Sequence, residues 1–158
     1  TGHGVEEKVA QFLAKHDDYS AIMLKALADR LAEAFAELMH WRVRTDLWGY
    51  APGEQLTTEE LIDEKYQGIR PAPGYPACPD HQVKFAMFHT MKADEIGMTL
   101  TESLAMNPAS SVSGFYIANP NAMYFNVGKV ASDQVGDFAR RAGQSPEEVR
   151  RSLVSLLD

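Results

Sequence analysis

A short segment near the middle of the chain combines stiffness with groups that could bind a small charged ligand. Four of nine consecutive positions are proline: Pro71, Pro73, Pro76 and Pro79. Proline fixes φ and lacks an amide hydrogen, so the segment can form neither a helix nor a central strand. We therefore expect residues 69–80, here called the proline arm, to form an ordered loop or extended arm that loses little entropy when a ligand binds.

Three residues of the proline arm suit a zwitterionic ligand. Arg70 offers a planar fork for a carboxylate, Gly74 permits close approach of the backbone, and Tyr75 offers an aromatic face to a cation. The main-chain groups between them could bind a purine base or a ribose. A nucleoside that carries a sulfonium would find each partner it needs. The alternative is that the arm only covers the core, and composition alone favours that alternative.

Composition limits the classes of protein to consider. A chain of 158 residues with 45% apolar and 23% charged residues is typical of one globular domain. Its net charge of -7 disfavours binding to nucleic acid, which requires a basic surface. The single cysteine, Cys78, excludes an internal disulfide. Because no apolar run is long enough to span a bilayer and no signal peptide is evident, we expect a cytoplasmic protein.

Helices are predicted in the first half of the chain. Apolar residues at helical spacing predict a short helix over residues 4–16 and a long helix from Asp18, as N-cap, to near Gly49. Thr57 and Glu60 have the spacing of a capping box, which predicts a third helix running toward Tyr66.

The second half alternates between helices and strands. Asp80 is expected to cap a helix that ends before Gly97, and Ser132 and Ser145 are expected to cap two more. Strands are predicted over residues 100–106, 112–117 and 123–130, with the last two paired as an antiparallel hairpin. The expected fold class is α+β, an antiparallel β-sheet flanked by helices that include one long N-terminal helix.

Two further patterns allow chemistry of other classes. Cys78 and His81, with His89 and His40 elsewhere, could form half of a zinc site, but no second pair of ligands completes it. Cys78 beside His81 could also be a thiol nucleophile, although the flanking prolines favour a structural position. We predict neither a metal site nor a catalytic residue.

Several stretches of the sequence resemble the activation domain of cobalamin-dependent methionine synthase. The longest is YQGIRPAPGYPACPDH at residues 66–81, and DDYSAIMLKALADRLAEAFAE at residues 17–37 agrees with the same family. WGYAP at residues 48–52 and LTES at residues 100–103, running on to SVSG at residues 111–114, extend the similarity over nearly the whole chain. The resemblance implies the activation-domain fold, with residues 1–158 as the C-terminal part of that domain.

The resemblance also implies a site for S-adenosylmethionine. It assigns ligand contacts to the following residues: Glu64, Arg70, Pro71, Ala72, Pro73, Gly74, Tyr75, Tyr124 and Phe125. Phe125 stands where many relatives have a second tyrosine. Asp29 and Glu33, four residues apart on one helix face, would contact a cobalamin-binding domain; the alternative is a solvated acidic stripe. On the residues alone, we expect Arg70→Ala to weaken binding while leaving the melting temperature nearly unchanged.

The function that the resemblance implies is repair of the parent methyltransferase in methionine biosynthesis. S-adenosylmethionine would supply a methyl group for the reductive methylation of inactive cob(II)alamin to methylcobalamin. The cobalamin would be bound by a neighbouring domain of the same enzyme, and a flavodoxin-type partner would donate the electron. The isolated domain would then not be catalytic. The alternative is a protein-interaction module that docks such a partner without binding a ligand of its own.

Overall fold

The N-terminal half of the chain is helical, as predicted. The structure, a computed structural model, describes residues 1–157. Helix α1 spans Val5–Leu13, and helix α2 spans Asp18–Arg42 and continues as a π-helical turn over Val43–Leu47. The N-cap of α2 is Asp17 rather than Asp18, because the Asp17 carboxylate accepts a hydrogen bond from the Ser20 amide at 3.0 Å. Helix α2 is the longest element and forms one wall of the site described below.

Helix α3 spans Thr58–Ile62 and begins at the predicted capping box. The Thr57 hydroxyl accepts from the Glu60 amide, and the Glu60 carboxylate accepts from the Thr57 amide. The helix ends well before Tyr66, contrary to the prediction. The chain leaves the helix at Glu64, which has a left-handed φ of 56° that an α-helix cannot contain. This turn directs the chain into the proline arm.

The remaining helices lie close to their predicted positions. Helix α4 spans Val83–Met91 and is followed by a 3₁₀ turn over Ala93–Ile96, while α5 spans Ser132–Ala142 and α6 spans Pro146–Ser152. Helix α6 begins at the predicted cap, Ser145, which forms a capping box with Glu148. The N-cap of α5 is Ala131 rather than Ser132. The Ala131 amide donates a hydrogen bond to the side-chain oxygen of Gln134 at 2.9 Å. No helix within residues 1–157 is both long enough and apolar enough to cross a membrane.

The strands differ most from the predictions. The fold class, helices around a small antiparallel sheet, is confirmed, but the sheet pairs β1 (Thr99–Leu100) with β2 (Met106–Asn107). The predicted strand over residues 100–106 is therefore mostly the turn between these two short strands. Residues 112–117 pair with the proline arm and not with residues 123–130, so the predicted hairpin is wrong. Ile69 and Ile117 exchange two backbone hydrogen bonds of 3.0 Å, and the Phe115 amide donates to the Pro71 carbonyl at 2.9 Å.

Two glycines let the arm and the 112–117 segment approach each other closely. Gly68 has a φ of 83°, and a Cβ at this position would lie 2.1 Å from the carbonyl oxygen of Ile117. A Cβ on Gly114 would lie 2.9 Å from the carbonyl oxygen of Pro71. The prolines lack amide hydrogens, but the carbonyls of Ile69 and Pro71 still accept hydrogen bonds from the neighbouring segment. The arm is therefore held in place by main-chain contacts at its N-terminal end.

Candidate ligand cleft

A cleft of about 810 Å³ opens between helix α2 and the proline arm. One wall is a face of α2, the opposite wall is the arm, and residues 109–112 and 124–126 close the sides. The lining residues are Asp29, Ala32, Glu33, Ala36, Glu64, Arg70, Pro71, Ala72, Tyr75, Pro76, Ala77, Ala109, Ser111, Val112, Tyr124, Phe125 and Asn126. The cleft thus brings together helix α2 and the proline arm, which the sequence motifs did not place next to each other.

Most of the predicted ligand residues lie on this cleft. The seven that line it are Glu64, Arg70, Pro71, Ala72, Tyr75, Tyr124 and Phe125. Pro73 is buried, and Gly74 faces His81, whose ring would lie 2.1 Å from a Cβ at position 74. Gly74 has a φ of 96°, and its amide closes a turn by donating to the Cys78 carbonyl at 2.8 Å. In this structure Pro73 and Gly74 shape the arm and do not form the cleft wall.

Asp29 and Glu33 also line the cleft. Both are exposed on one face of α2, as their spacing predicted, and Glu33 forms an exposed ion pair with Arg30 at 2.7 Å. The face that carries them is therefore the wall opposite the arm. Their predicted contact with a cobalamin-binding domain stays a prediction.

Arg70, which lies on the arm, is hydrogen bonded to helix α2 and to Tyr124 at one side of the cleft. Its amide donates to the Tyr124 hydroxyl at 2.8 Å, and its Nη2 donates to Glu37 Oε2 at 2.8 Å. Nη1 lies 3.5 Å from the Ala36 carbonyl oxygen and 3.4 Å from His40 Nδ1. Burial opposes the charge of the guanidinium, but the Glu37 carboxylate outweighs burial and raises the pKa of Arg70. These contacts were not anticipated in the expectation that Arg70→Ala leaves the melting temperature nearly unchanged.

A buried layer of polar and aromatic side chains lies behind Arg70. His40 is fully buried, stacks on Tyr116 with ring centroids 4.9 Å apart, and meets the Tyr66 ring edge-on at 4.8 Å. The Tyr66 hydroxyl lies 3.3 Å from that of Tyr124, and burial, followed by this hydrogen bond, raises the pKa of Tyr66. The layer supports the two residues, Arg70 and Tyr124, that reach the cleft. None of its other members was predicted as a site residue.

Buried His40 should make the stability of the chain depend on pH. Burial, followed by the positive charges of Arg44 and Arg70, lowers the pKa of His40 to about 3. In the unfolded chain the ring binds a proton below its ordinary pKa of about 6.5. Stability is therefore lost as the pH falls from about 6.5 toward 3. We expect the wild type to lose about 2 kcal/mol more than His40→Gln between pH 7 and 5 in urea unfolding. Equal losses in the two proteins would contradict this assignment.

The alternative chemistry at Cys78 finds no support in the geometry. Within residues 1–157, no three His, Cys, Asp or Glu side chains come together in a group that could hold a metal ion. His40 lies in the aromatic layer, and His81 packs over Gly74. Burial, followed by the nearby Asp80 carboxylate, raises the pKa of the Cys78 thiol, which disfavours the thiolate that a nucleophile needs.

Comparison with known proteins identifies the family. The family model described as the activation domain of vitamin B12 dependent methionine synthase matches residues 1–143. The chain belongs to this family. A crystal structure of the MetH reactivation domain bound to AdoHcy superposes on this activation-domain chain with a TM-score of 0.95 at 54% sequence identity. The match covers 99% of this chain and 48% of that one, so the chain spans about half the length of the MetH structure.

Proposed function

We propose that the chain binds S-adenosylmethionine in the cleft and presents its methyl group to cobalamin held by a neighbouring domain of methionine synthase. The observation that carries the proposal is the cleft itself, in which seven of the nine ligand residues implied by the family line one cavity. The MetH reactivation domain, which is 54% identical to this chain over the part that matches, was crystallised with AdoHcy, and this supports the same class of ligand.

The size and charge of the cleft fit this ligand. A volume of about 810 Å³ lies within the range of small-molecule sites. Three acidic residues, Asp29, Glu33 and Glu64, line the cleft together with one basic residue, Arg70, whose charge is already balanced by Glu37. S-adenosylmethionine has one carboxylate, one ammonium and one sulfonium, and so carries a net positive charge. The acidic side chains of the cleft suit the ammonium and the sulfonium, and its one guanidinium suits the carboxylate.

Each group of the ligand has a candidate partner on the cleft wall. Arg70 would bind the carboxylate, because a guanidinium matches its planar geometry. Glu64 would accept from the ammonium or from the ribose hydroxyls, and the rings of Tyr75 and Tyr124 would face the sulfonium. The main chain at Pro71 and Ala72 would lie along the nucleoside.

The chain would contribute position rather than acid–base chemistry. S-adenosylmethionine would donate its methyl group to the cobalamin of the parent enzyme, with an electron from a flavodoxin-type donor, and would leave as S-adenosylhomocysteine. The residues of the cleft would bind and orient the donor toward its open mouth, which raises the effective concentration of the methyl group. In this scheme residues 1–158 act as one domain of a cytoplasmic methyltransferase and are not catalytic alone. Asp29 and Glu33, at the mouth, would meet the cobalamin-binding domain.

Calorimetric titration of the 158-residue chain with S-adenosylmethionine tests the proposal. We expect one site, with S-adenosylhomocysteine binding roughly fivefold more weakly because it lacks the sulfonium charge that the acidic wall attracts, a difference of about 1 kcal/mol. The difference should shrink at high ionic strength. Adenosine, which lacks the amino-acid portion, serves as the control ligand. If neither S-adenosylmethionine nor S-adenosylhomocysteine binds at millimolar concentration, the proposal is contradicted and a protein-interaction module is favoured.

A further inference from the structure

Glu37 is the third member of an acidic row on helix α2. Asp29, Glu33 and Glu37 follow one another at intervals of four residues, so they lie along neighbouring positions of the helix surface. Asp29 and Glu33 are exposed, whereas the Glu37 side chain is 32% exposed and contacts the proline arm. Glu37 is not among the residues that line the cleft. Glu37 can therefore influence the cleft only through Arg70, with which it forms a hydrogen bond.

The contact between Glu37 and Arg70 leaves little freedom to either side chain. Glu37 Oε2 accepts from Arg70 Nη2 at 2.8 Å, while Oε1 is buried and has no hydrogen-bond partner within residues 1–157. A buried carboxylate oxygen without a partner is costly unless a cation stays beside it. The guanidinium is also directed by its contacts with the Ala36 carbonyl and His40. Arg70 is thus held with one edge against α2.

We propose that Glu37 is a positioning residue that fixes the guanidinium of Arg70 for the carboxylate of the ligand, and so makes the site select nucleosides that carry a carboxylate. This inference rests on the proposed function. An arginine side chain has many rotamers, and fixing it before binding reduces the entropy lost when the ligand arrives. The α2 side of the guanidinium uses Nη1 and Nη2, whereas Nε makes no hydrogen bond to another described residue. That donor is available to a second carboxylate.

The opposite role for Glu37 would be that of an internal competitor. A competitor would occupy the donors that the ligand needs, so removing it would tighten binding. Glu37 instead contacts Arg70 through a single oxygen on the α2 side. Neutralising Glu37 would also leave the guanidinium free to leave the site. Removal of Glu37 should therefore weaken binding, and the two roles differ in the sign of the effect.

The test measures selectivity for the carboxylate in variants of the whole chain. S-adenosylmethionine and its decarboxylated form are titrated into the wild type, Glu37→Ala, Glu37→Gln and Arg70→Ala. Glu95→Ala is the matched control, because Glu95 also pairs with a cation, Lys92, but lies on the 3₁₀ turn away from the cleft. The readout is the ratio of the two dissociation constants, which cancels a general loss of folded protein. Melting curves identify variants that do not fold.

Glu37→Ala should weaken S-adenosylmethionine about tenfold and leave the decarboxylated ligand within about twofold, so that its ratio shifts in the same direction as that of Arg70→Ala but by less. Glu37→Gln, which keeps the shape but not the charge, should lie between the wild type and Glu37→Ala. Equal weakening of both ligands, no change, or tighter binding of S-adenosylmethionine would each overturn the inference while leaving the proposed function intact. If the wild type binds neither ligand, the proposed function fails and this inference fails with it.

Discussion

Replacing Arg44 with alanine is expected to lower the free energy of unfolding by about 3–5 kcal/mol, the usual cost of breaking a buried ion pair. Arg44 is fully buried, and its Nε and Nη2 donate to the two carboxylate oxygens of Glu54 at 2.6 and 2.7 Å. Its guanidinium also lies 4.4 Å from the centroid of the Tyr66 ring. Alanine would leave the Glu54 carboxylate, which is 6% exposed, without a cation. Urea unfolding followed by circular dichroism measures the loss.

Two further variants separate the ion pair from the loss of side-chain volume. Arg140 pairs with Asp137 on the surface of α5, and Arg140→Ala should change stability very little, because exposed ion pairs are screened by solvent. The double variant Arg44→Met with Glu54→Leu removes both charges and keeps apolar volume, so it should recover most of the stability that Arg44→Ala loses. If Arg44→Ala were no worse than Arg140→Ala, the buried pair would have no structural role.

The helices and the approximate positions of their N-termini were predicted because their signals are local. The Thr57 and Ser145 capping boxes and the proline arm each act within a few residues of the chain. The partner of residues 112–117 was predicted wrongly, since strand pairing is decided between distant segments. Residues 112–117 and 123–130 are close in sequence and separated by a turn signal, which favours a hairpin. In the structure, however, residues 112–117 form backbone hydrogen bonds with the arm. Glycine at positions 68 and 114 allows that approach, and a turn signal cannot reveal it.

Apolar spacing identified α2 as a helix but not the face that packs in this structure. Three apolar residues of this helix, Leu27, Leu31 and Phe35, are 56%, 71% and 55% exposed. The C-terminal end of the helix instead buries His40 and, in the π-helical turn beyond it, Arg44. A pattern search for apolar residues necessarily passes over such a face. The four-residue spacing of His40 and Arg44 was the signal that could have revealed it.

The resemblance located the cleft residues but not the orientation of each one. It grouped Gly74 with Arg70 and Tyr75, whereas the structure turns Gly74 toward His81. It also treated Arg70 as a ligand residue alone. The sequence places Glu37 one helical turn beyond Glu33, but it does not show that the Glu37 side chain reaches Arg70. Family motifs transfer the identity of a site, and the supporting contacts have to be read from the fold.

Replacing Arg70 with alanine is expected to weaken S-adenosylmethionine binding by about 100-fold or more, which corresponds to roughly 3 kcal/mol for a charge-assisted contact in a cleft. The variant should also lose about 1–2 kcal/mol of stability, because Glu37 keeps a buried oxygen but loses its cation. Arg70→Ala should therefore lower the melting temperature, contrary to what the residues alone suggested. Calorimetry at a temperature well below the midpoint of the variant measures binding by folded protein only.

Arg70→Lys distinguishes charge from geometry at the same position. Lysine keeps the positive charge and could still pair with Glu37, but an ammonium is a point charge and lacks the planar fork that can bind two carboxylates from fixed directions. We expect Arg70→Lys to recover most of the stability and only a small part of the affinity. Recovery of both would mean that a cation alone suffices beside α2. Affinity within twofold of the wild type in Arg70→Ala would remove Arg70 from the ligand site, and the cleft would then have to bind the carboxylate through main-chain amides.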